Sequence, residues 1–393
     1  MINVLVLSQI FSIIMGKLVI KTIKTLVKYL NILYTLTNII FITKTFQADF
    51  FRGIMVHEKL LEIKNLKTSF RIGDKYYAAV DDVSLTVNKN EVMAIVGESG
   101  CGKSALAFSL MGLHNRAKIE GDVRFKGDDV TEYSAGQMNK LRGHEMSMIF
   151  QDPLTALNPL MKIGDQISEV LLLHNKKFSG LKRKQKAISL LEKVGIGRPE
   201  QVYEQFPHEL SGGMRQRVVI AIAIANDPEV LIADEPTTAL DATIQSQILD
   251  LLNELKEDMN AGIILITHDL GVVAETADRV AVMYAGQIVE VADVHALFGN
   301  PQHPYTRSLL SSVPNAESVD SKLHVIQGIV PSLKNLPREG CRFRNRIPWI
   351  DDAVHEENPV LHEISLNHFV RCTCYKNFYF PDEQKGDQRH GIS

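Results

Sequence analysis

The sequence predicts an α/β fold with a mainly parallel sheet, and three observations support this. Continuous apolar runs at residues 92–96, 230–233 and 263–266 are typical of strands buried on both faces of such a sheet. A glycine-rich loop follows the first run, and leucines with the spacing of one helix face follow the loop. Polar side chains follow the other two runs. Open α/β sheets bind ligands beyond the carboxyl ends of their strands. We therefore expect a ligand-binding site where the glycine-rich loop and these polar side chains follow the predicted strands.

The composition indicates a folded protein and excludes several classes. Hydrophobic residues make up 45% and charged residues 23%, which rules out disorder over the whole length. The 43 basic and 46 acidic residues nearly balance, which argues against a chain that coats nucleic acid. Four cysteines are too few for a disulfide scaffold in 393 residues. This length allows a main domain with attached segments.

Residues 1–54 do not resemble the rest of the chain. Their first 48 residues contain no Asp or Glu, and their uncharged runs are shorter than the ~18–20 apolar residues of a membrane-spanning helix. One interpretation is an interfacial anchor, whose basic helix face would consist of Lys17, Lys21, Lys24 and Lys28. The other is that translation starts at Met55, and we favour this second interpretation.

Residues 97–104 match the phosphate-binding pattern G-x-x-x-x-G-K-[ST] between a predicted strand and a predicted helix. The glycines let backbone N–H groups turn inward around phosphates, towards which the helix N-terminus also points. Lys103 is expected to reach the β and γ phosphates, and Ser104 to bind Mg²⁺. The residues predicted to hold the nucleotide are Gly97, Glu98, Ser99, Gly100, Cys101, Gly102, Lys103 and Ser104.

The second and third apolar runs deliver Asp234-Glu235 and Thr267-His268. Asp234 is the expected partner of Mg²⁺, and Glu235 is placed to polarise the attacking water as a general base. His268 could contact the γ-phosphate and hold Glu235 and the water in position. An acidic pair after a strand is a weak signal alone, but together with the phosphate loop 130 residues earlier it predicts nucleotide hydrolysis.

A further motif, Ser211-Gly212-Gly213, precedes a long apolar helix, and Gln151 follows another apolar run. Together these motifs resemble the ATP-binding subunits of ABC transporters over residues 58–335. The resemblance implies a P-loop NTPase fold for residues 55–310, with a RecA-like core, an antiparallel β subdomain and an inserted α-helical subdomain at about 153–217. It also implies a small C-terminal extension at residues 311–393.

The resemblance implies ATP and Mg²⁺ as cofactors. It places three residues around the metal: Ser104, Gln151 and Asp234. It makes three residues catalytic: Glu235, His268 and Gln151. It also implies that residues 211–213 contact ATP bound to a partner subunit, because a second anion site on a distant subdomain cannot serve its own loop.

An aromatic side chain upstream of the phosphate loop stacks on adenine in this family. By position, Phe70 is the first choice, followed by Tyr76 or Tyr77, although each could instead be a core aromatic. The chain departs from the family at Ala105, where Ser or Thr usually contacts phosphate, so we expect one weaker contact.

Residues 148–159, 300–306, 329–333 and 340–343 look like the oligopeptide/dipeptide importer group, and Met214 fits its D-type ATPase. This implies ATP-driven uptake of oligopeptides or dipeptides at the cytoplasmic side of the cell membrane, with no nucleic-acid partner. The implied partners are an F-type ATPase subunit, two integral-membrane permeases and, indirectly, an extracytoplasmic binding protein.

Other functions stay open at this point. The cargo could be nickel, glutathione or another small solute, because the ATPase does not select it. A non-transport ABC protein is less favoured, since translation types usually carry two cassettes and repair types insert a long coiled coil. An inactive ATPase is opposed by the presence of the expected catalytic side chains.

Many relatives hold an iron–sulfur cluster on four cysteines of the C-terminal region. The corresponding positions here are Cys341, Ile347, Val354 and Cys372, and Cys374 does not restore the spacing. We therefore predict no iron–sulfur cluster and ordinary thiols at the remaining cysteines.

Overall fold

A computed structural model describes residues 58–312 and 328–381 of the chain. Contacts divide the chain into two units, Met1–His57 and Glu58–Ser393. Both interpretations of residues 1–54 therefore concern residues outside the described part. The architecture below is that of the second unit.

The first layer is an antiparallel sheet of four strands in the order β2-β1-β4-β5. β2 largely alternates buried and more exposed side chains, whereas β1 departs from alternation where its register shifts. A tight turn at Gly73, whose φ is +63°, joins the two strands. The strands are β1 (Lys59–Ile72), β2 (Lys75–Asn88), β4 (Ala117–Phe125) and β5 (Asp128–Asp129).

The second layer is an eight-stranded sheet in the order β11-β12-β10-β9-β3-β8-β7-β6. The five strands from β9 to β6 are parallel, and the remaining three add antiparallel pairs at one edge. The strands are β3 (Val92–Val96), β6 (Met146–Ile149), β7 (Val230–Asp234), β8 (Gly262–Thr267), β9 (Arg279–Tyr284), β10 (Gln287–Asp293), β11 (Leu361–Ser365) and β12 (His368–Arg371). The three predicted strands are confirmed, and each is fully buried.

Eleven α-helices lie in the described part of the chain. They are α1 (Lys103–Leu110), α2 (Ala135–Leu141), α3 (Pro153–Ala156), α4 (Ile163–His174), α5 (Gly180–Lys193), α6 (Pro199–Tyr203), α7 (Gly212–Ala223), α8 (Ala242–Met259), α9 (Leu270–Thr276), α10 (Val294–Gly299) and α11 (Pro304–Ser311). Short 3₁₀ helices occupy Val130–Glu132, Pro207–Glu209, Arg344–Arg346, Asp352–Val354 and Thr373–Asn377.

Helices α3 to α7 occupy the stretch where a helical subdomain is predicted. α4 and α5 each bury an apolar face, with Ile163, Ile167, Leu190 and Leu191 at most 2% exposed. α7 continues beyond the predicted boundary at 217, because its C-terminal half is apolar and packs under β6. Helix α7 begins at Ser211-Gly212-Gly213, which is called the signature motif below. The helix therefore belongs to both the helical region and the main core.

Alternate side chains of β3 enter two different cores. Met93 and Ile95 pack with the antiparallel sheet and α1, whereas Val92, Ala94 and Val96 pack with helices on the opposite face. The C-terminal region shares the second core through Phe343 and other residues. Its strand β12 pairs with β10, so the region extends the central sheet instead of forming a separate attachment.

Candidate functional site

The phosphate loop connects the buried end of β3 to the start of α1, and two of its glycines are required by space. A Cβ at Gly97 would lie 2.1 Å from the Met283 carbonyl oxygen. A Cβ at Gly102 would lie 2.6 Å from the Ala79 carbonyl oxygen, and its φ of +112° suits glycine. Close packing against the neighbouring backbone therefore fixes the loop that the motif predicts.

Lys103 and Ser104 begin α1 and face the loop. Lys103 Nζ donates hydrogen bonds to the carbonyl oxygens of Gly97 at 2.7 Å and Glu98 at 3.1 Å, and the residue is 5% exposed. Ser104 Oγ donates to Asp234 Oδ1 at 3.2 Å. The structure thus joins the predicted loop to the acidic end of β7 across the sheet.

Glu235 is the centre of a polar cluster. Its carboxylate accepts hydrogen bonds from Gln151 Nε2 at 2.9 Å and from Thr238 Oγ1 at 2.8 Å. His268 Nδ1 lies 3.5 Å from its other oxygen. The backbone of Glu235 has a φ of +48° and donates from its N–H to Ile266 O, directly after β7 ends at Asp234.

The three predicted catalytic residues are therefore brought together, and Thr238 is an additional member that sequence reasoning missed. Its signal was the hydroxyl three residues after Glu235, where a turn can fold it back onto the carboxylate.

Electrostatics at the end of β7 reflect a carboxylate held away from water. Burial raises the pKa of Asp234; the Ser104 hydroxyl opposes this shift, and the charge of Glu235 adds to it. Burial also raises the pKa of the Cys101 thiol, which is 1% exposed. Cys101 therefore serves as a small packed residue of the loop.

A cleft of about 330 Å³ opens beside these groups. Its lining includes Lys103, Ser104, Gln151 and Glu235. The opposite wall comes from the C-terminal region, and its residues are Val330, Pro331, Leu333 and Leu336. Sequence reasoning did not predict this apolar wall.

The predicted adenine-stacking residue has a different neighbour in this structure. Phe70 packs edge-on against His114, with ring centroids 4.9 Å apart, and it is not among the residues that line the cleft. Tyr76 and Tyr77 do not line the cleft either, and Tyr77 lies under the Arg338 guanidinium. The assignment of Phe70 stays a prediction.

The signature motif lies apart from this cleft. Ser211 caps α7 by accepting a hydrogen bond from Met214 N at 3.3 Å, and both Ser211 and Gly212 are exposed. Gly213 packs against Ile244, which a Cβ would approach to 3.0 Å. None of the three lines the cleft, so the structure does not bring them to the chain's own phosphate loop.

Helix α11 and the C-terminal region also hold the phosphate loop from outside. Glu98 N donates to Tyr305 Oη at 2.8 Å, and Arg346 Nη1 donates to both carboxylate oxygens of Glu98 at 2.9 and 3.2 Å. Sequence reasoning missed both supports. They come from residues more than 200 positions away, and a short motif carries no sign of such contacts.

The C-terminal cysteines are not separate from one another. Cys341, Cys372, Cys374 and His355 place their sulfur and ring nitrogen atoms within 4.8 Å of one another. Sequence reasoning compared cysteine positions only with those of relatives, so it gave Cys374 no partner and did not consider His355.

Comparison with known protein families identifies this arrangement. The family described as "ABC transporter" matches residues 80–238, and "Oligopeptide/dipeptide transporter, C-terminal region" matches residues 289–350. The oligopeptide transport ATP-binding protein OppD of Lactococcus lactis subsp. cremoris (strain SK11) is 53% identical over 339 residues, which are 85% of this chain and 100% of that protein. The chain belongs to the ATP-binding proteins of oligopeptide/dipeptide ABC transporters.

Other members of the family are also close. AppD of Bacillus subtilis (strain 168), an oligopeptide transport ATP-binding protein, is 49% identical and covers 81% of this chain and 97% of its own length. The dipeptide transport ATP-binding protein DppD of Lactococcus lactis subsp. cremoris (strain MG1363) is 49% identical, covering 81% of this chain and 91% of its own length.

Among solved structures, the ATP-binding cassette MJ0796, in a dimeric post-hydrolysis state with ADP and Pi, matches with a TM-score of 0.55 and 27% identity. The match covers 60% of this chain and 99% of that one. The predicted fold class is confirmed, and the chain is an ABC ATPase with a nucleotide-binding domain for ATP. Within residues 58–312 and 328–381, no helix is both long and apolar enough to cross a membrane.

Proposed function

We propose that this ABC ATPase hydrolyses Mg²⁺-bound ATP to drive the uptake of oligopeptides or dipeptides through two permease subunits. Its partner would be a second, F-type ATPase, and an extracytoplasmic binding protein would deliver the cargo. The peptide cargo is supported by the names of the relatives, which include oligopeptide and dipeptide transport ATP-binding proteins. Contact with the permeases would hold the chain at the cytoplasmic face of the membrane.

The observation that carries the ATPase role is the environment of Glu235 beside the cleft. Gln151 and Thr238 hydrogen bond to its carboxylate, and His268 lies 3.5 Å away. In the proposed reaction this carboxylate takes a proton from the water that attacks the γ-phosphorus. The bond from phosphorus to the bridging oxygen breaks, and ADP leaves with the electron pair.

The oxygen donors near the loop fit a magnesium ion. Ser104 Oγ and the Asp234 carboxylate are 3.2 Å apart, and Mg²⁺ prefers such ligands. Burial raises the pKa of Asp234 because it disfavours the charged carboxylate, and a bound cation would offset this effect. Ser104 and Asp234 would hold the ion, with Gln151 nearby, and the ion would neutralise phosphate charge during transfer.

Exposed Ser211 and Gly212 support a shared active site. They begin α7 away from the chain's own cleft, where free N–H groups can bind phosphate oxygens. We propose that they contact ATP held by the F-type partner, whose signature motif in turn closes the cleft described here.

The first test replaces Glu235 with Gln, which keeps the size of the side chain and removes the base. We expect ATP affinity within a few-fold of the unmodified protein and a loss of turnover of about 10²-fold or more. Glu257→Gln, at an exposed position on α8, is the matched control and should leave both values unchanged. Full hydrolysis by Glu235→Gln in the assembled transporter would contradict the assignment.

The cargo is tested separately by uptake of labelled dipeptides and oligopeptides in cells that carry each variant at equal protein levels. Uptake lost with Glu235→Gln and kept with Glu257→Gln would support peptide import. Normal peptide uptake with a variant shown to be inactive in hydrolysis would reject the peptide cargo and retain the ATPase.

A further inference from the structure

The C-terminal region contains a cluster of potential metal ligands that the ATPase chemistry does not use. Cys341 follows a loop, and His355 ends the 3₁₀ helix Asp352–Val354. Cys372 directly follows β12, and Cys374 lies in the 3₁₀ helix Thr373–Asn377. The three cysteines are at most 7% exposed. Three separate segments thus deliver four donor atoms to one place, all within 4.8 Å of one another.

The imidazole of His355 is the fourth member of this cluster. Both ring nitrogens of His355 are buried, and neither has a hydrogen-bond partner. A buried imidazole without partners is costly, because each polar atom has lost its water. A metal ion at the centre of the cluster would satisfy one nitrogen directly, which explains why a polar ring is placed among thiols.

Cys372 shows a second sign of a prepared ligand. Its backbone has a φ of +69° and a ψ of 140°, a conformation that is strained for any residue other than glycine. Glu356 N donates to its sulfur at 3.5 Å.

The four-cysteine set of an iron–sulfur cluster does not fit this chain. Ile347 and Val354 stand at two of the four positions expected from the relatives, and Ile347 is completely buried in the apolar core. In addition, each terminal ligand of a four-iron cluster binds a different iron, which holds the ligands further apart than around a single ion.

We propose that Cys341, His355, Cys372 and Cys374 bind one zinc ion in a closed, tetrahedral Cys₃His site. Ligands about 2.0–2.3 Å from one zinc ion lie roughly 3.5–3.8 Å from each other, within the span of this cluster. Four protein ligands leave no open position, so the site is structural. It ties the 3₁₀ segments of the C-terminal region to β12 and hence to the central sheet.

The test uses the full chain, purified in the absence of oxygen from cells grown in medium that contains both zinc and iron. We expect about one zinc per chain, little iron, no acid-labile sulfide and no visible absorption from a cluster. After metal removal, Co²⁺ should give the intense visible bands of a tetrahedral site and charge-transfer bands from thiolate ligands. Iron with matching sulfide, or a chain without bound metal, would overturn the proposal.

Variants assign the ligands. Loss of a group that only hydrogen bonds to a metal ligand already weakens metal affinity about 10–100-fold, so His355→Ala should weaken zinc binding by at least that factor. His355→Cys keeps four ligands and should retain zinc and fold, which separates loss of a ligand from misfolding. His295→Ala, at an exposed position on α10, is the matched control. Unchanged zinc affinity in His355→Ala would exclude the proposed ligand set.

Discussion

At the residue scale, the site depends on a few charged groups that are held away from water. Lys103 is almost fully buried and donates to two carbonyl oxygens of its own loop, so the loop folds around an ammonium group. An ammonium group at this position can form charge-assisted hydrogen bonds to phosphate oxygens, which are stronger than those between neutral groups.

Replacing Lys103 with Ala should weaken ATP binding by about tenfold or more, because charge-assisted hydrogen bonds contribute ~1.5–3 kcal/mol. The measurement is titration with a fluorescent ATP analogue. Lys176→Ala, an exposed lysine after α4, should bind normally. Equal affinity in the two variants would count against the phosphate-loop role of Lys103.

Asp234 offers a prediction with a defined pH dependence. The pKa of Asp234 is raised in the folded chain, so protonation of its carboxyl group stabilises the fold. This stabilisation is fully present below the unfolded pKa, about 3.9, and is lost as pH rises through the folded pKa. Without nucleotide and Mg²⁺, Asp234→Asn should therefore raise the unfolding temperature near pH 7, and the difference should shrink towards pH 4.5. Thermal unfolding across this pH range measures it. The exposed Asp250→Asn should show no such trend, and a pH-independent difference at Asp234 would contradict the argument.

At the scale of elements, α11 connects the C-terminal region to the phosphate loop. Both carboxylate oxygens of buried Glu290 on β10 accept backbone N–H groups, from Gln302 at 2.9 Å and His303 at 2.9 Å. Burial lowers the pKa of His303 to about 4, and its neutral Nδ1 accepts from Tyr305 N to cap the helix. The family-like stretch at residues 300–306 therefore orients Tyr305 towards Glu98.

Tyr305→Phe tests this connection because it removes only the hydroxyl that accepts from Glu98 N. A fully buried unsatisfied N–H costs about 1–3 kcal/mol, and Glu98 is only half-buried, so the lower end of that range applies. We therefore expect ATP affinity to fall by roughly fivefold with little change in fold. Calorimetric titration with ATP measures the effect, and Tyr133→Phe is the matched control. Unchanged affinity in Tyr305→Phe would show that the loop does not need this support.

At the scale of the whole molecule, buried arginines attach the C-terminal region to the ATPase core. Arg342 is ion-paired with Asp81 and donates to Ala285 O at 2.6 Å, with 5% of the residue exposed. Arg371 joins Asp82 at 2.9 Å and also donates to Ile288 O. These contacts link the region to β2 and to the β9–β10 hairpin, next to the cleft.

Arg342→Ala should lower the free energy of unfolding by on the order of 3 kcal/mol, because it leaves a carboxylate without its buried partner. Arg344 is the matched control, since its pair with Asp352 is exposed and such pairs contribute about 0–1 kcal/mol. Urea unfolding of the two Ala variants compares them. Similar losses in both would show that the C-terminal region is only loosely attached.

The sequence by itself determined the parts of this protein that depend on local backbone requirements. Residues 97–104 need glycines for a phosphate loop, and the apolar runs before Asp234 and His268 need burial in a parallel sheet. Because neighbouring residues encode these needs, the fold class could be predicted, and so could the grouping of Lys103, Ser104, Asp234 and Glu235.

Only the tertiary structure decided which distant residues meet. β12 joins the central sheet, Tyr305 and Arg346 reach Glu98, and His355 enters the cluster of cysteines. Such contacts depend on how separate segments pack against each other. The distance between these residues along the chain does not indicate that they will meet. For the same reason, a comparison of cysteine spacing alone missed a site built from three segments.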